Sequence, residues 1–211
     1  METARHQPFH AVYNGPYPGL DYRAARPFER WQAPHLLRSM RDWLSQNPPR
    51  LELATLALAE LRGRGERALE AEMVFADLGH QPIEWLQAAR GSVAQAFPKD
   101  WEGWDDVKRR GGTVYVVLRD GYTAANGTYG AYVGSTKRSL EVRFMEHRQS
   151  SKSGRGLQAH GIEPLFSLCL PLRQAPLAKA SLRAWETRLH HALEAVVPKV
   201  SGDIIDGRGS S

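Results

Sequence analysis

The chain has 211 residues, 42% of them hydrophobic, which is enough to bury one good core or two small ones and too apolar for a disordered chain. No apolar run approaches the length of about eighteen residues that a membrane span needs, and Met1 to Leu20 carries prolines and histidines where a secretory leader has a basic start and an apolar stretch, so neither is expected. The net charge is +5, but residues 1–110 hold fifteen cations and fifteen anions while residues 111–211 hold thirteen against eight, so the whole excess lies in the second half.

In chain order, residues 1–27 are rich in Pro, Gly and Tyr without a sustained period, which predicts an extended arm. From Phe28, the residues Trp31, Leu36, Leu37, Met40, Trp43 and Leu44 recur at spacings of three and four and predict a helix ending at Asn47-Pro48-Pro49. A second helix is expected from Leu51 to about Leu61, broken by Gly63 and Gly65, and a third from Glu66 to Leu78, closed by Gly79. Pro82 suits the first turn of a fourth, with Ile83, Leu86, Val93 and Phe97 on one face and Pro98 as its stop. Residues 28–110 thus read as a helical accessory domain, with Gly111-Gly112 as the junction to a second domain over 111–205 and a flexible tail over 206–211.

After the junction the pattern changes to strands. Thr113 to Leu118 and Gly130 to Gly134 are two β runs joined by a Gly-rich connection containing Asn126-Gly127. A helix is predicted over Arg138–His147, a Ser/Gly/Lys-rich loop over Gln149–Gly156, a third strand over Leu165–Leu172 and a last helix from about Leu177 to Val196. Cys169, the sole cysteine, falls in the apolar third strand and reads as core packing. The class is α+β, a helical region followed by a small sheet with helices.

Thr113-Val114-Tyr115 and Tyr132-Val133-Gly134, in the order strand, hairpin, strand, helix, strand, helix, resemble the two halves of the GIY-YIG endonuclease signature, with Thr at the first Gly position. The following helix resembles the family stretch that presents an arginine and then a histidine. Here these are Arg143 and His147, four apart and so on one helix face. Leu157 to Gly161 resembles the lead into the third strand, and Glu186 in the last helix falls where the family keeps its sole protein metal ligand. The likeness covers about residues 112–205 and implies a small antiparallel sheet flanked by helices.

The resemblance also implies roles. Tyr115 takes a proton from water as base or relay, and Tyr132 orients that water. Arg143 holds the scissile phosphate with its fork of donors, and His147 bonds phosphate or phenol and accepts a proton. Glu186 holds one hard divalent cation, Mg²⁺ or in its place Mn²⁺. Lys137 and Arg138 are substrate-binding candidates, and the implied mechanism requires that nearby cations such as Lys137, Arg143 or the metal lower the pKa of Tyr115. The family's asparagine after the metal-binding helix is missing from Val196 to Asp203, where Ser201 is the best stand-in. Among other groupings, Glu186, His190 and Glu194 share a helical stripe that suggests zinc but lack the H-E-x-x-H order. Tyr129 is the rival to Tyr132, Tyr122 reads as packing or substrate contact, and His160 reads as a structural turn residue.

The partner this chemistry implies is DNA, and the basic second half suits a phosphate backbone. A restriction or phage-defence endonuclease acting in the cytoplasm is the first reading. An interbacterial toxin delivered without a signal peptide, its helical half contacting an adaptor or immunity protein, is the second. A noncatalytic nucleic-acid-binding module is the third. Cutting both strands favours a homodimer, whereas nicking suits a monomer.

Overall fold

The structure is a computed structural model that describes residues 13–98, 112–121, 128–149, 157–172 and 179–202. The expectations for the arm before Tyr13, the junction at Gly111, the hairpin connection with Tyr122, the Ser/Gly/Lys-rich loop and the tail lie outside the described residues. Packing divides the chain into two compact units, one of Asn14–Gln87 and one of Tyr13 with the described residues from Ala88 onward.

The first unit is helical, with α1 (Ala33–Leu44), α2 (Leu51–Arg64) and α3 (Ala68–Asp77). Helix α1 begins at Ala33 and not near Phe28, because Pro34 suits a first turn and the residues before it close a separate turn through Trp31 N–H to the Phe28 carbonyl at 2.9 Å. Helix α2 runs through Gly63. An interior glycine costs about 1 kcal/mol, too little to stop a helix buried over most of its length. The stop comes at Gly65, whose φ of +67° is the left-handed cap that glycine adopts without strain. Part of the expected arm belongs to this unit: Leu20 and Tyr22 are buried, and the Tyr17 ring lies edge-on to Trp31 and Trp43 at 5.9 and 5.6 Å.

One charged residue organises this core. Glu60 is only 5% exposed, and it accepts hydrogen bonds from Arg26 at 2.5 and 3.2 Å and from Arg64 Nε at 2.6 Å. The remaining Arg64 donors reach the backbone carbonyls of Trp31 at 2.6 Å, Phe28 at 2.7 Å and Glu29 at 2.8 Å. Arg64 therefore fastens the turn before α1 to the end of α2. Burial works to raise the Glu60 pKa, but the bonds and charges of Arg26 and Arg64 outweigh it and hold the carboxyl below the ordinary carboxylate range.

The second unit takes α4 (Leu86–Ala96) from Ala88 on, then β1 (Gly112–Arg119), β2 (Gly130–Thr136), α5 (Leu140–Gln149), α6 (Leu157–His160), β3 (Gly161–Pro164), β4 (Leu170–Leu172), α7 (Lys179–Glu194) and β5 (Val200–Ser201). The division falls inside α4, ahead of the double glycine, because Ser92 Oγ–H donates to the Ala192 carbonyl at 2.6 Å and Phe97 stacks on Trp185 at 5.2 Å. Helix α4 starts at Leu86, later than Pro82 suggests; Ile83 N–H instead donates to Thr55 Oγ1 at 3.0 Å.

The sheet runs β3-β1-β2-β5, with β4 also on β1; β1 is antiparallel to β2, β3 and β4, while β2 and β5 are parallel. The described residues thus form a mixed α+β fold with seven helices and a mixed sheet of five strands. Of the strand expected over Leu165–Leu172 only Leu170–Leu172 is strand; β3 lies ahead of it, and between the two a turn places Leu168 N–H on the Leu165 carbonyl at 3.0 Å. Pro164 and Pro171 have no N–H to give a ladder, and the pairing of β1 shifts register between Val117 and Arg119. Strand β1 is buried at its first seven positions, as a strand covered on both faces must be.

Replacing Glu60 by Ala strands Arg64 and loosens the Phe28–Trp31 turn, with an expected loss of about 2–3 kcal/mol of stability, and Glu60→Gln loses less because it keeps an acceptor. Urea unfolding followed by tryptophan fluorescence measures this; a Glu60→Ala midpoint equal to the parent's would contradict the structural role given to the carboxylate.

Candidate active site

The site starts from the register of two strands. Tyr115 pairs with Gly134 and Val117 with Tyr132, and residues two apart face the same side, so both tyrosines and Gly134 share one face of the sheet. Gly134 is a steric requirement there. A Cβ at Gly134 would lie 2.5 Å from Tyr115 Oη and 2.9 Å from a Tyr132 ring carbon, because the Tyr115 ring crosses directly over it. The two phenol rings are 6.4 Å apart.

Helix α5, which follows β2 after a short turn, supplies the next two groups. His147 is 1% exposed; its Nε2 lies 2.5 Å from Tyr115 Oη, and its ring lies 5.7 Å from that of Tyr132. Arg143, one turn earlier, acts on the Tyr115 phenol through its charge and a side-chain hydrogen bond. Tyr132, not Tyr129, is therefore the tyrosine beside Tyr115 and His147.

The electrostatics reverse one expectation. Burial raises the pKa of Tyr115 far above that of a free phenol, Tyr132 and Glu186 add to the rise, and the Arg143 charge and hydrogen bond oppose it without prevailing. Nearby cations do not bring this phenol toward neutrality. Burial and the Arg143 charge push His147 down from 6.5 to about 4, so its ring is neutral at physiological pH. The proton rests on the phenol, and the neutral imidazole Nε2 is the base in contact with it. The phenol O–H donates to Nε2 in the tautomer that carries the imidazole proton on Nδ1.

Glu186 comes from α7 and is 6% exposed; its Oε2 accepts a hydrogen bond from Ser135 Oγ at 2.7 Å. Ser135 pairs with Val114, on the face opposite the tyrosines, and lies past Ala131 and Tyr132, where β5 pairs with β2. The carboxylate is nonetheless near enough for its charge to act on the Tyr115 phenol. Tyr115, Tyr132, Arg143, His147 and Glu186 thus fall within electrostatic reach of one phenol.

A buried carboxylate oriented by a hydroxyl is the donor type that a hard cation takes, with water and substrate completing the shell, so Glu186 fits a magnesium ion. The zinc stripe does not assemble. Among the described residues no three His, Cys, Asp or Glu side chains gather as a zinc site requires, and His190 Nδ1 lies 3.3 Å from the Glu194 carboxylate.

The other candidates have separate positions. Arg138 pairs with Glu146, which Arg143 also meets at 3.3 Å, so one carboxylate holds both guanidiniums. Lys137 is exposed in the turn between β2 and α5. Ser201 lies beside Tyr132 in the strand pairing, but its hydroxyl accepts from Arg119 at 2.8 Å and donates to the Ala131 carbonyl at 3.3 Å, so it serves the sheet. His160 Nδ1 meets Asp120 at 3.2 Å and its carbonyl accepts the Asp120 N–H at 3.0 Å, a turn contact; Cys169 is buried with Sγ 3.2 Å from the Leu165 carbonyl. Ser135 and Glu146 escaped the sequence reading, since no local spacing links a strand serine to a carboxylate 51 residues on.

No family model, no curated protein and no solved structure matches the chain.

Proposed function

We propose that the chain is a metal-dependent endonuclease of the GIY-YIG class that hydrolyses DNA phosphodiester bonds, of the kind used in restriction or phage defence. The observation that carries this reading is the Tyr115 phenol in contact with the neutral His147 Nε2 at 2.5 Å, under the charge of both Arg143 and the buried Glu186. A phenol, an imidazole, a guanidinium and one carboxylate are what phosphodiester hydrolysis asks for: a proton path, a holder for phosphoryl oxygens and a metal ligand.

The proton path follows from the pKa directions. Water attacks phosphorus and gives its proton to the Tyr115 oxygen while the phenol's own proton passes to His147 Nε2, so no free phenolate forms in surroundings that penalise it. The bond from phosphorus to the leaving oxygen breaks, and that oxygen takes a proton from solvent. Arg143 holds two phosphoryl oxygens in place of Glu146, and Tyr132 fixes the ring of His147 from its edge. A divalent cation held by Glu186 would supply positive charge to the phosphoryl oxygens when bound. The substrate's own anionic charge favours the imidazolium, which raises the basicity of His147 when DNA arrives.

Purified protein with Mg²⁺ is expected to nick supercoiled DNA, and Glu186→Ala and Tyr115→Phe are each expected to slow nicking by about a hundredfold or more with circular dichroism unchanged. Unchanged nicking by Glu186→Ala removes that residue from the metal site. Salt-sensitive binding with no product in Mg²⁺ or Mn²⁺ contradicts the enzyme reading and leaves a noncatalytic binder.

The acid limb is a separate test. Because the His147 pKa lies at about 4, the free enzyme keeps its base neutral throughout the range where an ordinary histidine of pKa 6.5 titrates. The profile of kcat/KM is therefore expected to be flat through 6.5 and to fall only toward about 4; an inflection at 6.5 would show that another group carries the proton.

Gly134→Ala pushes a methyl against Tyr115 Oη at 2.5 Å. Loss of activity as large as that of Tyr115→Phe, with a destabilisation of about 1–3 kcal/mol, is expected from paired kinetic and unfolding measurements. Full activity in this variant would mean the phenol has no fixed seat.

A further inference from the structure

Away from the proposed site, the helical unit carries a groove of about 310 Å³ between α1 and α3. Its floor is apolar, with Leu37 from α1 and Val74 from α3, both buried. Its walls are cationic: Arg38 and Arg41 stand one turn apart on α1, facing Arg67 and Glu70 of the α3 side.

The charges in the groove are unbalanced. Arg67 is spent on Glu70 through bonds of 2.9 and 2.6 Å. Arg38 makes no hydrogen bond or ion pair among the described residues, and Arg41 acts on Glu70 only as a more distant charge. Two guanidiniums on α1 are therefore left for a ligand. The surplus is local, since Asn14–Gln87 as a whole holds nine cations and ten anions.

The rim adds a second feature. At about 100° per residue, Asp77 about two turns along, then Met73 and Leu69 come next around α3 beyond Glu70. They are 53% and 71% exposed, four residues apart and side by side in water. Scattered exposed leucines need no explanation, but a pair adjoining a cation-lined groove with an apolar floor forms a continuous two-character surface.

We propose that this groove docks an acidic amphipathic helix of a partner protein, whose carboxylates pair with Arg38 and Arg41 and whose apolar edge covers Met73 and Leu69. A nucleic-acid backbone satisfies the arginines but leaves the exposed Leu69 and Met73 in water. Methionine suits such a surface because its unbranched chain adapts to the apolar group it meets. The inference stands on the helical unit alone and is independent of the chemistry in the sheet unit.

The test uses the full chain and a fluorescein-labelled synthetic helical peptide with glutamates along one edge and leucines along the next, read by anisotropy. Saturable binding is expected, weakened roughly tenfold or more by Arg38→Glu with Arg41→Glu and likewise by Leu69→Ser with Met73→Ser. Both variants should keep the parent's circular dichroism and thermal midpoint, and a peptide with lysines in place of the glutamates should not bind. Absence of peptide binding, or binding indifferent to both pairs of substitutions, overturns the proposal. So does loss of binding to a short DNA duplex in the arginine variant while peptide binding is untouched, since that assigns the groove to nucleic acid.

Discussion

The candidate site depends on one buried hydrogen bond, between the Tyr115 phenol and His147 Nε2. A phenol 1% exposed in the middle of a sheet must find an acceptor, because an unpaired polar group there costs about 1–3 kcal/mol. Satisfying it constrains the surroundings. Gly134 must be glycine so that the ring can cross β2, the β1–β2 register must put it opposite Tyr115, and α5 must bring His147 over the same face. The same burial that demands the bond sets its chemistry: it raises the phenol, lowers the imidazole to about 4 and leaves a proton donor against a neutral base.

The two units use buried polarity differently. In the helical unit Glu60, Arg26 and Arg64 form a network in which the remaining Arg64 donors end on backbone carbonyls, so it holds a turn in place. In the sheet unit the groups stay open to exchange. Arg143 rests against the half-buried Glu146, and Glu186 is oriented by Ser135 while remaining a charge that Tyr115 feels. Fully satisfied networks rigidify.

Much of the site was legible in the sequence because its signals are local. Two tyrosines at strand positions and an arginine and histidine four apart on a helix define faces by spacing alone. The last helix could be placed, and with it Glu186, yet nothing in the spacing showed that Ser135 would orient its carboxylate from the other face of the sheet. The balance at Tyr115 was hidden for the same reason: the lowering by Arg143 could be read from sequence, but the desolvation that outweighs it belongs to the packed state. Helix ends went astray where tertiary burial overrode local preference, as at Gly63 inside α2. The strand expected at Leu165–Leu172 survives only as β4, with β3 formed ahead of it, because two prolines and a register shift forbid one continuous ladder along β1. Ser201 was chosen for its place in the chain, and the sheet claims its hydroxyl through Arg119 and Ala131.

The central claim concerns where one proton sits, and nitrogen chemical shifts of the His147 imidazole followed against pH read it directly. A neutral ring with its proton on Nδ1 and Nε2 as acceptor, unchanged from neutral pH until the approach to about 4, is the result this account predicts. A ring that becomes imidazolium near 6.5, or one that carries its proton on Nε2, would contradict it.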